Sequence, residues 1–161
     1  MRIALAGAAL ATIATAAYAQ DGIYWQDGDR YAVVEADGAC ALSARAADGR
    51  SMFALIRVEG ETAQLLVMSP QAIFAGVPTR SARLDIRSAG GRSHAEQVTF
   101  ANPSGGRYLA EVSEDSIRYF ATAESVSLRG QADGPPIFEL QTASTAMREG
   151  AREQVACLSE Q

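Results

Sequence analysis

The chain contains no lysine: all 14 of its basic residues are arginines. A Schiff-base lysine and a P-loop lysine are therefore both excluded. Cysteine and histidine are nearly absent, with Cys40, Cys157 and His94 the full complement. A zinc centre built on such ligands would need nearly every one of them, and no metal site is expected. The net charge is −5, with 19 acidic residues. That balance argues against a nucleic-acid partner, because such binding relies on clustered cations that displace counterions. No G-x-S-x-G elbow, C-x-x-C pair or G-x-G-x-x-G loop occurs, and no cofactor is predicted. Past the first twenty residues, no apolar run is long enough to span a bilayer.

What is present suits one domain. The length is 161 residues, with 48% hydrophobic and 20% charged residues. Those fractions are ordinary for a globular protein and argue against wholesale disorder. The N-terminus has the form of an export signal. Arg2 supplies the positive start, residues 3–17 are apolar or small, and Ala17-Tyr18-Ala19 forms an A-x-A cleavage site. The expectation is a signal peptide over 1–19 and a single β-rich domain over 20–161, periplasmic or secreted, with no transmembrane segment after cleavage. Loss of Arg2 takes the net charge to −6.

In an oxidising compartment, two cysteines so far apart read as one disulfide, Cys40 to Cys157. A redox or nucleophilic cysteine is the alternative, but neither residue has a histidine near it in sequence.

Turn signals recur at short intervals, among them Asp27-Gly28, Asp48-Gly49, Gly60, Gly90-Gly91, Gly105-Gly106 and Asp133-Gly134. Strand-length runs lie between them: 31–36, 40–45, 51–58, 63–69, 81–88, 95–101, 107–112, 125–129 and 137–141. The pattern predicts a mainly β fold, an antiparallel sandwich or barrel-like meander with a C-terminal helix packed on it. Met52 to Ile56 and Leu65 to Met68 are nearly continuous apolar runs, which predicts central strands covered on both faces. Ala82 to Arg87 alternates strictly, so Ala82, Leu84 and Ile86 should face a core and the charged set water.

Two helices are expected. Ser113 can cap one that runs to about Ala123. Thr142 or Ser144 can cap the other, whose apolar stripe is Ala143, Ala146, Met147, Ala151, Gln154, Val155 and Leu158. Gly150 weakens that helix by about 1 kcal/mol unless it permits close packing on the sheet. Trp25 and Tyr24 are expected to plug one end of the core; the alternative is an exposed aromatic anchor.

The order of parts is similar to a known family. Trp25 lies near the mature start, Ala39-Cys40-Ala41-Leu42 places an early cysteine in a strand, and a meander follows. A late strand, Phe138 to Gln141, then leads into a terminal helix that holds Cys157. This layout resembles the invasion-associated locus B family of small secreted Gram-negative bacterial proteins. The resemblance implies a periplasmic or surface β-rich protein, and it carries over no catalytic residue.

Among chemistry-bearing residues, His94 is the one imidazole, in Arg92-Ser93-His94-Ala95-Glu96. Adjacent strand residues point to opposite faces, so Ser93 is a poor triad partner, and an exposed strand-end histidine is the plainer reading. The three Ala-Asp-Gly triplets at 36–38, 47–49 and 132–134 read as turns rather than a carboxylate dyad. Arg80, Arg83, Arg87 and Arg92 crowd into one short stretch. Arginine grips carboxylates and phosphates through paired N–H groups, so these four form a candidate binding face for an anionic partner. In the alternative, the face is solvated and its arginines pair with cross-strand Glu96 or Glu111.

The sequence therefore points to an exported, disulfide-braced, non-catalytic protein that binds a protein or an anionic envelope partner. Two other functions are an inhibitor or immunity protein that blocks a hydrolase with the loops at 68–78 and 102–106, and a hydrolase centred on His94.

Overall fold

A computed structural model describes residues 22–36, 39–57, 63–74, 80–104, 106–131 and 133–160. The candidate signal peptide and Gly60 lie outside the described residues. Two antiparallel sheets carry the fold. Seven strands form the first: β1 (Ile23–Asp27), β2 (Tyr31–Ala36), β3 (Ala39–Arg45), β4 (Ser51–Arg57), β5 (Ala63–Met68), β8 (Ala101–Ser104) and β9 (Arg107–Glu111). Their spatial order is β1-β2-β3-β4-β5-β9-β8. The second sheet has four: β6 (Ser81–Ser88), β7 (Ser93–Thr99), β10 (Ala123–Arg129) and β11 (Phe138–Gln141). They lie in the order β11-β10-β6-β7. A short helix α1 (Glu114–Phe120) and a closing helix α2 (Ser144–Ser159) complete the fold. The sheets pack on each other without closing into a barrel. The sandwich form of the expectation, with its C-terminal helix, is what the chain adopts.

Period-2 patterning places the core. In β6, Ala82, Leu84 and Ile86 are buried while Arg83 and Arg87 are exposed. They meet Leu42, Met52 and Leu65 of the first sheet, Val126, Leu128 and Phe138 of the second, and Met147 of α2. The central strands β4 and β5 are apolar on both faces, as their unbroken runs predict. Met52, Ala54, Leu65 and Val67 join the main core. Phe53, Leu55, Leu66 and Met68 turn the other way and cluster with Ala41 and Leu109.

Helix α2 packs on β1, β2 and β3, and glycine allows it close. A Cβ on Gly150 would come 2.5 Å from Leu42 Cδ1 and 2.9 Å from Trp25 Cζ3. Trp25 thus plugs the core at the helix. Beside it, the Tyr24 hydroxyl donates to Glu160 Oε1 at 2.9 Å. The Cys40–Cys157 disulfide joins β3 to the last turn of α2 across 117 residues of sequence, with Cα atoms 6.2 Å apart. Closing a loop that long lowers the entropy of the unfolded chain by an amount worth about 5 kcal/mol in the chain-entropy model. Next to it, the buried Gln154 side chain donates to the carbonyls of Cys40 and Ala54, both at 2.8 Å.

Four details differ from the sequence reading. β1, over Ile23 to Asp27, lies ahead of the first expected strand and pairs with β2 alone. β8 forms within the expected Asn102–Gly106 turn; it is an edge strand, where proline is tolerated. Neither Thr142 nor Ser144 caps α2. Its N-cap is Ala143, whose N–H donates to the Tyr31 hydroxyl at 2.7 Å, while the Thr142 hydroxyl donates to the Ala123 carbonyl. Val155 does not share the buried stripe. It is 63% exposed, one position off the row formed by Met147, Gly150, Gln154 and Cys157.

Candidate functional site

The outward face of the four-stranded sheet is a trough of about 550 Å³. Strand register builds it row by row across β10, β6 and β7. One row is Arg129, Arg83 and Gln97, the next Ser127, Asp85 and Ala95, and the next Ser125, Arg87 and Ser93. Glu139 and Gln141 of β11 extend the last two rows. Small side chains (Ser93, Ala95, Ser125 and Ser127) make the floor, and longer charged ones stand around it.

The arginines differ in what they hold. Arg83 Nε donates to Asp85 Oδ1 at 2.9 Å, and Arg129 Nε lies 3.5 Å from Asp85 Oδ2. Arg129 also donates to the Gly134 carbonyl at 2.9 Å. These two are committed to positioning each other through Asp85. Arg87 is exposed, and among the described residues its side chain makes no ion pair or hydrogen bond. Arg80 and Arg92 are exposed as well and likewise lack a carboxylate partner among the described residues. They stand at opposite ends of β7: the Arg80 carbonyl accepts from Phe100 N–H just past the strand, and Arg92 immediately precedes it. The Arg92 guanidinium lies 5.9 Å from the Tyr119 ring centre.

Of the four sequence-predicted arginines, the fold brings Arg83 and Arg87 into the trough, while Arg80 and Arg92 lie at the two ends of β7 and do not line it. Arg129 was missed. Its signal was its place at the end of the 125–129 run, but cross-strand neighbours come from pairing, which one strand's pattern does not encode. The expected pairing of the arginines with Glu96 or Glu111 does not form. Glu111 belongs to the other sheet, and Glu96 points inward from β7 toward α1.

Glu96 in fact anchors α1. Its Oε2 accepts from the Ser116 hydroxyl at 2.5 Å and the Ser113 hydroxyl at 2.8 Å, and the Ser113 N–H lies 3.1 Å from both its oxygens. Burial alone would push this carboxyl up, but the bonds from Ser116 and Ser113 and the nearby His94 together hold it below the usual carboxylate range. His94 is half-buried rather than an exposed strand end. Its ring stacks on Tyr119 at 5.1 Å, and Nε2 is 3.8 Å from Glu96 Oε2. That nitrogen is buried without a hydrogen-bond partner among the described residues. The two nearby serines are bonded to Glu96, not to His94.

At the far side of the sheet, two arginines from turns of the first sheet, just before β2 and β4, reach over β11. Arg50 Nη1 donates to the Glu139 carbonyl at 2.7 Å, and Arg30 Nη2 to the Gln141 carbonyl at 3.0 Å. Among the described residues, no cluster of three or more His, Cys, Asp or Glu side chains could hold a metal ion, and no helix is long and apolar enough to cross a membrane. Of the loops considered for an inhibitor, residues 75–79, Gly105 and the side chains of 102–104 lie outside the described residues. No family model, curated protein or solved structure matches this chain.

Proposed function

We propose that this chain is exported, with residues 1–19 as its signal peptide, and that residues 20–161 act in the periplasm or outside the cell by binding rather than by catalysis. The partner is a protein or envelope component with anionic groups, received on the outward face of the four-stranded sheet. The Cys40–Cys157 disulfide is compatible with export, and so is the resemblance of the layout to the invasion-associated locus B family. One observation carries the choice of face. In a chain of net charge −5, Arg87 stands on that face without a carboxylate partner among the described residues, and Arg80 and Arg92, also without one, lie at the ends of β7. Exposed cations left unpaired in an acidic protein steer anionic partners and fix their orientation.

Charge reversal tests this. The exported protein and its Arg80→Glu, Arg87→Glu, Arg92→Glu triple variant are each immobilised and exposed to the same periplasmic extract at low salt. The native protein should retain an acidic partner that salt elutes, and the variant should not. Identical retention by both would rule the face out.

A further inference from the structure

We infer that the partner contributes an extended segment bearing acidic side chains, which joins the free edge of β7 as a fifth strand of the four-stranded sheet. This rests on the anionic-partner reading and adds how the partner is held.

The backbone supplies the first argument. At one end of β7, Phe100 N–H donates to the Arg80 carbonyl; at the other, Ser88 N–H donates to the Arg92 carbonyl. The register between these points is unbroken, pairing Ala82 with Val98, Leu84 with Glu96 and Ile86 with His94. Antiparallel strands exchange hydrogen bonds at every second pair. The even-numbered residues of β7 therefore bond to β6. Ser93, Ala95, Gln97 and Thr99 point their N–H and C=O groups away from it, over an edge to which no described strand pairs and which β9 approaches only at its Thr99 end. Their side chains are also the exposed ones of the strand. A strand edge this long is a template for strand addition unless it is blocked.

The opposite edge is covered by arginine side chains. In β11 the even-numbered residues likewise bond to β10, as the bond from Thr142 N–H to the Glu124 carbonyl shows. The outward carbonyls of Glu139 and Gln141 are covered by Arg50 and Arg30. β7 has no proline or lysine and no break in its register with β6.

Charge selects the occupant. Arg92 precedes the strand, Arg87 pairs across from Ser93, and Arg80 lies beside the strand's far end. Arginine reaches across a neighbouring strand, so an acidic side chain on an added strand near Ser93 would meet Arg87. A second copy of β7 would bring no carboxylate to that position, since its own outward residues are Ser93, Ala95, Gln97 and Thr99.

The test uses the exported protein and a blocked peptide of about ten residues alternating Glu and Thr, long enough to cover the edge. Gln97→Pro removes an outward N–H without touching the bonds to β6, a position where an edge strand accepts proline. Gln97→Ala keeps that N–H. The peptide should slow amide exchange at Ala95 and Gln97. Gln97→Pro and Arg87→Glu should each weaken binding about ten-fold, roughly 1.4 kcal/mol, while Gln97→Ala stays within about two-fold. If Arg87→Glu weakens binding and Gln97→Pro does not, strand addition is wrong while the anionic-partner reading stands. If Gln97→Pro weakens binding and Arg87→Glu does not, the edge is used but the acidic partner is wrong. No peptide binding by the native protein, or self-association through β7 in its place, overturns the inference.

Discussion

The two edges of the four-stranded sheet use arginine in opposite ways. At β11, Arg30 and Arg50 come from the neighbouring sheet and bond to outward carbonyls, so their charge is folded into the structure. Arg50 also covers the Phe138 ring at 5.9 Å from its centre, and its Nε meets Asp48 at 2.8 Å. At β7, Arg87 stands one strand in from an edge whose backbone groups face outward, Arg80 and Arg92 stand at its ends, and none of the three holds a carboxylate among the described residues. Same residue type, same sheet, two outcomes: a guanidinium that reaches a backbone acceptor closes an edge, and one that does not leaves the edge open and charged.

The closed side also holds the heaviest bracing. β11 leads directly into α2, which the disulfide fixes to β3. Replacing Cys40 and Cys157 with serine should have the largest effect on stability, a loss of about 2–5 kcal/mol read from urea unfolding. The loss should first expose α2 and β11 to amide exchange, leaving β6 and β7 protected longer. Equal deprotection of both sides would mean that the bracing is not local.

Arg50→Ala should cost less, about 1 kcal/mol, because its charged hydrogen bond to the Glu139 carbonyl is partly exposed. Its sharper consequence is on the comparison itself. The variant should uncover the outward Glu139 carbonyl and raise concentration-dependent association above the native level. Unchanged association would show that β11 is closed by something other than these arginines.

Acid should act on the β7 side. Glu96, which ties α1 to β7, has its pKa held below the ordinary carboxylate value of 4.5. The folded state then binds fewer protons than the unfolded one between the two values. Its contribution is complete above the ordinary value and is lost as pH falls through the depressed one. Unfolding midpoints measured from pH 7 downward should therefore drop through the acid range, and Glu96→Gln should flatten that part of the profile. A Glu96→Gln profile parallel to the native one would show that the carboxylate does not anchor α1.

Much of this is legible in the sequence. Strict alternation gave β6 its bounds and its two faces, because a charged residue at every second position leaves one way to bury Ala82, Leu84 and Ile86. Unbroken apolar runs marked β4 and β5 as central for the converse reason. Cys40 and Cys157 paired as expected, and Gly150 proved to be a contact point for Leu42 and Trp25. What stayed hidden depends on partners distant in sequence. Arg129 enters the trough only through the pairing of β10 with β6, Arg30 and Arg50 reach β11 only across the sandwich, and Glu96 bonds to α1 rather than to the arginines. The stripe of α2 misplaced Val155 for a related reason: a helix's rotation is set by what it packs on, here the close approach at Gly150.

The central claim is that β7 presents an open edge where β11 presents a closed one, and residue-resolved amide exchange of the exported protein tests it most directly. The account predicts fast exchange at Ser93, Ala95, Gln97 and Thr99 and slow exchange at His94, Glu96 and Val98, alternating along one strand. Equal protection at odd and even positions would contradict it.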